Sequence, residues 1–339
     1  MLKSHCRGLA GLKMGIPDLF GEKRYRSFGR YLREIFGCRV QKIPLDAGFT
    51  CPNRDGRVGL GGCIYCGPRG SGTGAYKNGV PLGEQIRAGI ERGKHRFGEC
   101  KFIAYFQAFT NTYAPPERLK SLYDEALRHQ EIVGLSIGTR PDCAPHEVLD
   151  LLEEYTKQCH LWVEYGLQSA HDHTLEIINR GHDIAQFIDA VERTKGRGIN
   201  ICAHIILGLP GETRDEMMAT ADLVASLELE GIKIHSLYVL KGTKLAEIYQ
   251  RGEFRLLELD EYVSLVCDFL ERLPPGMVIQ RLTGEAPRDL LVAPPWSLEK
   301  MAVLGKIDAE LERRGSYQGI EWGLSPLQKR TRCLDQKTI

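Results

Sequence analysis

Phe49-Thr50-Cys51-Pro52-Asn53-Arg54-Asp55-Gly56-Arg57-Val58-Gly59-Leu60-Gly61-Gly62-Cys63-Ile64-Tyr65-Cys66-Gly67 is a glycine-laden stretch with three cysteines. A Cys-x-x-Cys pair lets two thiolates converge on one metal centre, and the pliant glycine loop back to Cys51 can bring in a third. Structural zinc wants four closed ligands, usually as two close pairs, and the next histidine downstream is His95, so zinc is disfavoured. An iron-sulfur cluster held by three thiolates instead keeps one iron without a protein ligand, an open position where a small molecule can bind and react.

Around this loop the chain alternates. Apolar runs that read as strands occur at Val40 to Leu45, Phe102 to Phe106, Ile132 to Ile137, Leu161 to Tyr165, Ile199 to Leu207 and Ile232 to Val239, most of them separated by helical patterns. Helix starts are legible at Pro115-Pro116-Glu117, at Pro145, and at Thr213, where Glu216 completes a capping box. Six strand-helix units of this kind imply a parallel sheet with right-handed crossovers. Strands buried on both faces explain why the runs barely alternate. A partial barrel and a doubly wound sheet both satisfy the pattern.

With 339 residues, 42% hydrophobic and 26% charged, the chain can bury a large core. A net charge of +1 excludes a globally basic nucleic-acid coat but leaves room for local patches. Eleven scattered cysteines and the lack of an apolar leader or spanning run point to the cytosol, where thiols stay reduced. Near the N-terminus, Tyr25, Phe28, Leu32 and Ile35 form one apolar helical stripe. Arg26, Arg30 and Arg33 form another, suited to water or to phosphates. Residues before Met14 show no periodicity. An apolar strand at Met277 to Leu282 is followed by an irregular, proline-rich cover and a helix from Ser297 to Arg314, and the segment beyond Gly315 reads as basic and frayed.

The Cys51, Cys63, Cys66 triplet, with Tyr65 before the last cysteine, resembles the cluster loop of radical S-adenosylmethionine (SAM) enzymes in a long-spaced form. More narrowly it resembles the YhcC-like family, related to the elongator catalytic subunit and to oxygen-independent coproporphyrinogen oxidase. The resemblance spans roughly Gly15 to Ser316. It implies an α/β fold, a six-stranded partial (β/α) TIM-like barrel with an N-terminal helical extension (1–38), the barrel itself (39–285) and a C-terminal cover, helix and tail (286–339). The site would then lie at the C-terminal ends of the strands.

The resemblance also assigns roles at those ends. Cys51, Cys63 and Cys66 would hold a 4Fe-4S cluster, and Tyr65 would stand near the adenine of SAM. After the second strand, Gln107-Ala108-Phe109 departs from the oxidase pattern of glycines, while Thr110 and Thr112 keep to it, Thr110 as a SAM contact. Thr139-Arg140-Pro141-Asp142 resembles the matching turn of the elongator relatives, with Arg140 suited to a carboxylate or phosphate. Cys143 beside it is either a hydrogen-atom donor to a radical or a small buried hydrophobe. Gln168 and Arg180, at family spacing, fall on positions that bind SAM or a second, substrate-like SAM; His204 replaces an aspartate, and Gly208-Leu209-Pro210-Gly211-Glu212 is a family signature. The implied chemistry is reductive cleavage of SAM to a 5'-deoxyadenosyl radical that abstracts hydrogen from a substrate. RNA, above all transfer RNA, leads the substrate classes, with a small metabolite or a protein side chain as rivals. An external one-electron reductant such as flavodoxin or ferredoxin is implied. A cluster that only senses redox state or relays electrons is the non-catalytic alternative.

Overall fold

The computed structural model describes residues 20–324. Seven strands form one parallel sheet in sequential order: β1 (Val40–Leu45), β2 (Lys101–Phe106), β3 (Ile132–Thr139), β4 (His160–Gln168), β5 (Asn200–Leu207), β6 (Gly231–Ser236) and β8 (Val278–Arg281). Strictly sequential order has no switch point, which excludes the doubly wound sheet. The sheet curls into a half-barrel. The Met277 to Leu282 run, expected as a strand outside the repeating units, is the seventh stave, paired with β6. The expected six-stranded count is therefore corrected to seven. The short strands β7 (Val239–Leu240) and β9 (Leu291–Ala293) pair antiparallel beside it, so the Ile232 to Val239 run is two strands rather than one.

The period of two along each strand sorts the side chains. On β4, Leu161, Val163, Tyr165 and Leu167 point outward into the main core beneath the helices. The alternate residues Trp162, Glu164, Gly166 and Gln168 line the interior, the last three reaching the cavity described below. Capping boxes at Asp183 and Thr213 start the helices Ile184–Thr194 and Arg214–Ser226, each using side chain and backbone reciprocally.

The barrel is plugged from its N-terminal end. The helix Phe28–Phe36 lays Phe28 and Tyr31 edge-on against Trp162, with ring centroids 5.8 and 5.7 Å apart. Leu32, 1% exposed, packs with Val40 and Ile103. His160 accepts from Trp162 Nε1 at 2.8 Å; burial, helped by Lys42, holds its pKa down to about 4, so the ring is neutral and can accept. The expected helical stripe starting at Arg24 is only partly helical, because Ser27 pairs as a β-bridge with Ile279 and the helix begins after it. Ile35 is 46% exposed and leaves the stripe. Arg26 and Arg30 both reach Glu34, and Arg26 also donates to the Gly276 carbonyl, which favours a solvated, locally paired face.

The segment after Gly315 is not frayed as far as residue 324. Gln318 is fully buried, accepts from the Arg26 amide at 2.9 Å and donates to the Pro274 and Met277 carbonyls at 2.6 and 2.8 Å. The unperiodic lead-in before Met14 and the last residues of the tail lie outside the described residues. No helix among the described residues is long and apolar enough to cross a membrane.

The plug should carry measurable stability. Leu32→Ala is expected to cost about 2–5 kcal/mol in urea unfolding, as a core deletion that leaves a cavity. A loss below about 0.5 kcal/mol would mean that the helix lies on the barrel without closing it.

Candidate active site

Cys51, Cys63 and Cys66 all line one cavity of about 350 Å³ at the C-terminal ends of the strands. Tyr65, Thr110, Gln168, Arg180 and His204 line the same cavity. The loop reaches this position because it is strapped to the turn after β4. Ile64 donates to the Ile178 carbonyl at 3.0 Å, Asn53 Nδ2 to the Asn179 carbonyl at 2.7 Å, and Asn179 Nδ2 to the Gly62 carbonyl at 2.8 Å. Gly181 must be glycine here: its φ is +70°, and a Cβ would stand 2.8 Å from Asn53 Oδ1.

Arg180 is buried and donates from Nη1 to Cys63 Sγ at 3.6 Å and from Nη2 to the Gly166 carbonyl at 2.7 Å. Burial alone would raise the Cys63 thiol, but the charge of Arg180 and hydrogen bonds from Arg180 and Tyr65 outweigh it and hold the thiol below its ordinary value. Cys66 goes the other way: burial, then the neighbouring Cys63, raises it, against the pull of Arg54. Gln168 sits at φ +76°, an uncommon conformation for a side-chain-bearing residue, and packs its amide over Gly166 beside Arg180. A Cβ on Gly166 would fall 2.6 Å from both groups.

Arg140 lines the cavity but is not free for a ligand. It makes a bidentate pair with Asp142 at 2.9 and 2.8 Å and donates to the carbonyls of Arg180 and Gly181 at 2.7 and 3.0 Å. The Thr-Arg-Pro-Asp turn is thus a clamp on the segment that carries Arg180. Thr112 bonds Thr139 and the Cys143 carbonyl, a brace between turns. Cys143 does not line the cavity of the three cysteines. It opens onto a second cavity with Pro52, Arg57 and Tyr113, and burial, with Asp142 beside it, raises its thiol to about 12. Cys143 is thus absent from the lining of the first cavity, into which a hydrogen-atom donor would have to reach. Cys38 precedes β1 and packs with Leu32 and Val40, at the end of the barrel opposite the other three.

Beneath the cysteines lies a charged layer that motif reading missed. Glu164, fully buried, accepts from Lys42, Lys233 and Ser136, and from His204 Nε2 at 2.7 Å. Burial opposes its ionisation, but Lys233 and then Lys42 hold the carboxyl well below its ordinary value. Burial, then Lys233, lowers His204 to about 4, so its ring is neutral and its Nε2 carries the donated proton. Burial also lowers Lys233, to about 7, in spite of Glu164 and with help from Lys42. The signal was present in the sequence: Lys42 and Lys233 interrupt apolar runs at inward-facing positions, where a polar residue has to be paired.

The residues present fit an anionic iron-sulfur group. Arg180 is a buried guanidinium with no carboxylate partner among the described residues; its partners are a thiol and a carbonyl, and its Nε is buried without any partner. A buried cation of this kind requires negative charge beside it, which three thiolates and their cluster supply.

Comparison with known proteins agrees with this geometry. The family model of the radical SAM superfamily matches residues 51–224, and that of the Radical_SAM C-terminal domain matches residues 229–313. The YtqA protein of Bacillus subtilis is 48% identical over 88% of this chain and 92% of its own length. YhcC of Escherichia coli K12 is 37% identical over 89% and 97%. A tRNA uridine(34) acetyltransferase of Methanocaldococcus infernus is 27% identical over 50% of this chain and 32% of its own. The solved structure of Methanocaldococcus infernus Elp3, lacking its N-terminus, shares the fold at a TM-score of 0.60 and 20% identity, over 72% of this chain and 62% of that one.

The signature turn after β5 generates a pH prediction. Glu212 accepts from the Ser169 hydroxyl, and burial raises its pKa to about 7. The folded state thus keeps this proton where the unfolded chain has lost it, so the contribution to stability is full below an ordinary glutamate pKa and is lost as pH rises through about 7. Glu212→Gln should flatten the fall in melting temperature between about pH 5 and about pH 8 relative to the parent. An unchanged slope would show that the carboxyl is already ionised.

Proposed function

The chain belongs to the radical SAM superfamily, its cofactors are a 4Fe-4S cluster and SAM, and on that premise we propose that Cys51, Cys63 and Cys66 hold the cluster while the cavity beneath them takes SAM and substrate. The observation that carries this reading is the contact of buried Arg180 with Cys63, beside three thiols facing one cavity. Held by these three cysteines and supplied with an electron by an external donor such as flavodoxin or ferredoxin, the cluster would provide reductive cleavage of SAM and, through it, hydrogen abstraction from the substrate. The chain's own residues do the rest. Arg180 and the Tyr65 hydroxyl favour the thiolate of Cys63. Gln168, fixed in its unusual backbone conformation, presents its amide to the cavity as the group that orients SAM, with Thr110 on the facing wall. The plug of Phe28, Tyr31 and Trp162 keeps water out from below.

Anaerobic reconstitution followed by electron paramagnetic resonance tests this. The reduced protein should show a cluster signal that SAM perturbs, and should release 5'-deoxyadenosine; Cys63→Ala should do neither. Gln168→Ala should retain its iron and lose about 1–3 kcal/mol of SAM affinity. Retained zinc, or a spectrum indifferent to SAM, would refute the reading.

The finer reading is an RNA substrate. It is supported by the relative named as a tRNA uridine acetyltransferase and by basic side chains at the cavity rim, Arg69 among the lining residues and Lys241 and Arg288 next to lining residues in sequence. The Arg26, Arg30, Arg33 stripe lies at the opposite end of the barrel, away from the cavity. Transfer-RNA affinity should fall with salt, and Arg69→Glu with Lys241→Glu should reduce the slope by about one unit for each phosphate that is no longer neutralised. Equal weak binding at all salt concentrations would leave a small molecule as the substrate.

A further inference from the structure

The layer beneath the cysteines gathers three basic side chains, Lys42, Lys233 and Arg281, around one carboxylate inside it and one at its rim. Glu164 is the only acid inside the layer among the described residues, and it is shared between two ammonium groups, Lys42 and Lys233. It has no acceptor capacity to spare, since Ser136, His204 and Tyr105 also donate to it. Arg281, across the cavity on β8, adds a third cation. Its acidic partner is Glu285 at 3.3 Å, a rim residue that Lys300 also engages from outside. Two donor atoms in the same layer are buried and unmatched: His235 Nε2 and Gln280 Nε2. The Gln280 amide is oriented by its oxygen, which accepts from Lys42 at 2.6 Å. The His235 ring lies 5.5 Å from that of His204 and faces the cavity. Burial, then Arg281, presses His235 well below the ordinary histidine value, so it is a neutral group able to donate one N–H.

Buried donors left without a partner are costly unless a ligand completes them, and the basic side chains around His235 and Gln280 make an anion the fitting ligand. We propose that the floor of this cavity is an anion-binding subsite that receives a carboxylate or phosphate of the substrate, with Arg281 as its direct contact and His235 beside it. The inference rests on the reading that this cavity is where the reaction takes place. Arg281 suits the role because a guanidinium binds either oxyanion through two parallel hydrogen bonds, while Lys42 and Lys233, tied to Glu164, supply field rather than contact. Glu285 competes for Arg281 and so weakens the subsite until substrate arrives.

The two acidic and basic members predict opposite effects, which a merely structural role would not produce. Calorimetry on the cluster-loaded protein, with inorganic phosphate and succinate as separate probes, should detect binding of one of them. Arg281→Gln should weaken it about tenfold or more, and Glu285→Gln should tighten it about threefold. Both side chains are only partly buried, so melting temperatures near the parent value are expected to confirm folding. Phosphate binding without succinate binding identifies the substrate group as a phosphate, and the converse as a carboxylate. Binding of neither probe, binding unaffected by Arg281→Gln, or displacement of the probe by SAM would overturn the subsite, the last because the floor would then be the cofactor's. A cluster that responds to SAM in a protein that binds neither anion overturns the subsite alone. Anion binding beside a cluster indifferent to SAM overturns the reaction-site reading and with it the assignment to substrate.

Discussion

The contact between Arg180 and Cys63 ties the separate parts of this molecule together. A guanidinium buried without a carboxylate calls for negative charge beside it, and here its neighbour is the Cys63 thiol, whose ionisation it favours. The dependence runs both ways. Arg180 reaches the thiol only because Arg140 grips the carbonyls of Arg180 and Gly181 while its own charge is satisfied by Asp142. Strand β3 therefore positions a residue that follows β4, and that residue sets the ionisation of a cysteine that precedes β2. The straps from Asn53 and Asn179 finish the arrangement by fixing the glycine loop, which has few side chains of its own with which to pack.

The interior of the half-barrel changes character along its axis, and each level follows from its boundary. At the N-terminal end the helix Phe28–Phe36 provides a lid, so Trp162, Cys202 and Val278 form an apolar layer. One step up, Glu164 and the two lysines form a buried ionic layer. Such a group is rarely a net source of stability against well-packed apolar residues, because desolvation consumes much of the attraction. Its presence is better understood as preparation of the cavity above it, where perturbed ionisable groups gather at functional sites. At the top, carbonyls, thiols and arginines replace it. The outward faces of the same strands feed mainly apolar side chains into the core beneath the helices.

What the sequence disclosed tracks what is local. Strand positions, the capping box at Thr213 and the cysteine loop were legible, since each depends on residues within a few positions of one another. Gln168, Arg180 and His204 were found by motif spacing and do converge on one cavity. What depended on long-range pairing was hidden. The seventh strand looked like an appendage because its partner β6 is separated from it by the short strand β7 and two helices, Lys244–Gln250 and Leu259–Arg272. Cys143 lay next to a motif in sequence, but at the end of the turn Pro141–Cys143 it lines a different cavity from the three cysteines. Lys42 and Lys233 read as minor breaks in apolar strands, and only the curl of the sheet shows that they meet on one carboxylate.

The ionic layer also bears on what kind of protein this is. A cluster that merely relays electrons needs a path to a partner and shielding from water; an apolar interior below it would serve that end at lower cost. Here the space below the cysteines is lined instead by Glu164, His204, His235 and Arg281, with unmatched donors among them. Polar groups that remain incompletely paired in a closed-bottomed cavity are stabilised by what enters it. The plug removes the N-terminal end as an entrance, so whatever binds enters from the end that carries the cysteines, and anything seated on the floor lies within reach of the chemistry above. A fold that seals one end, charges the floor and places its cysteines at the opening is arranged for reaction on a bound molecule.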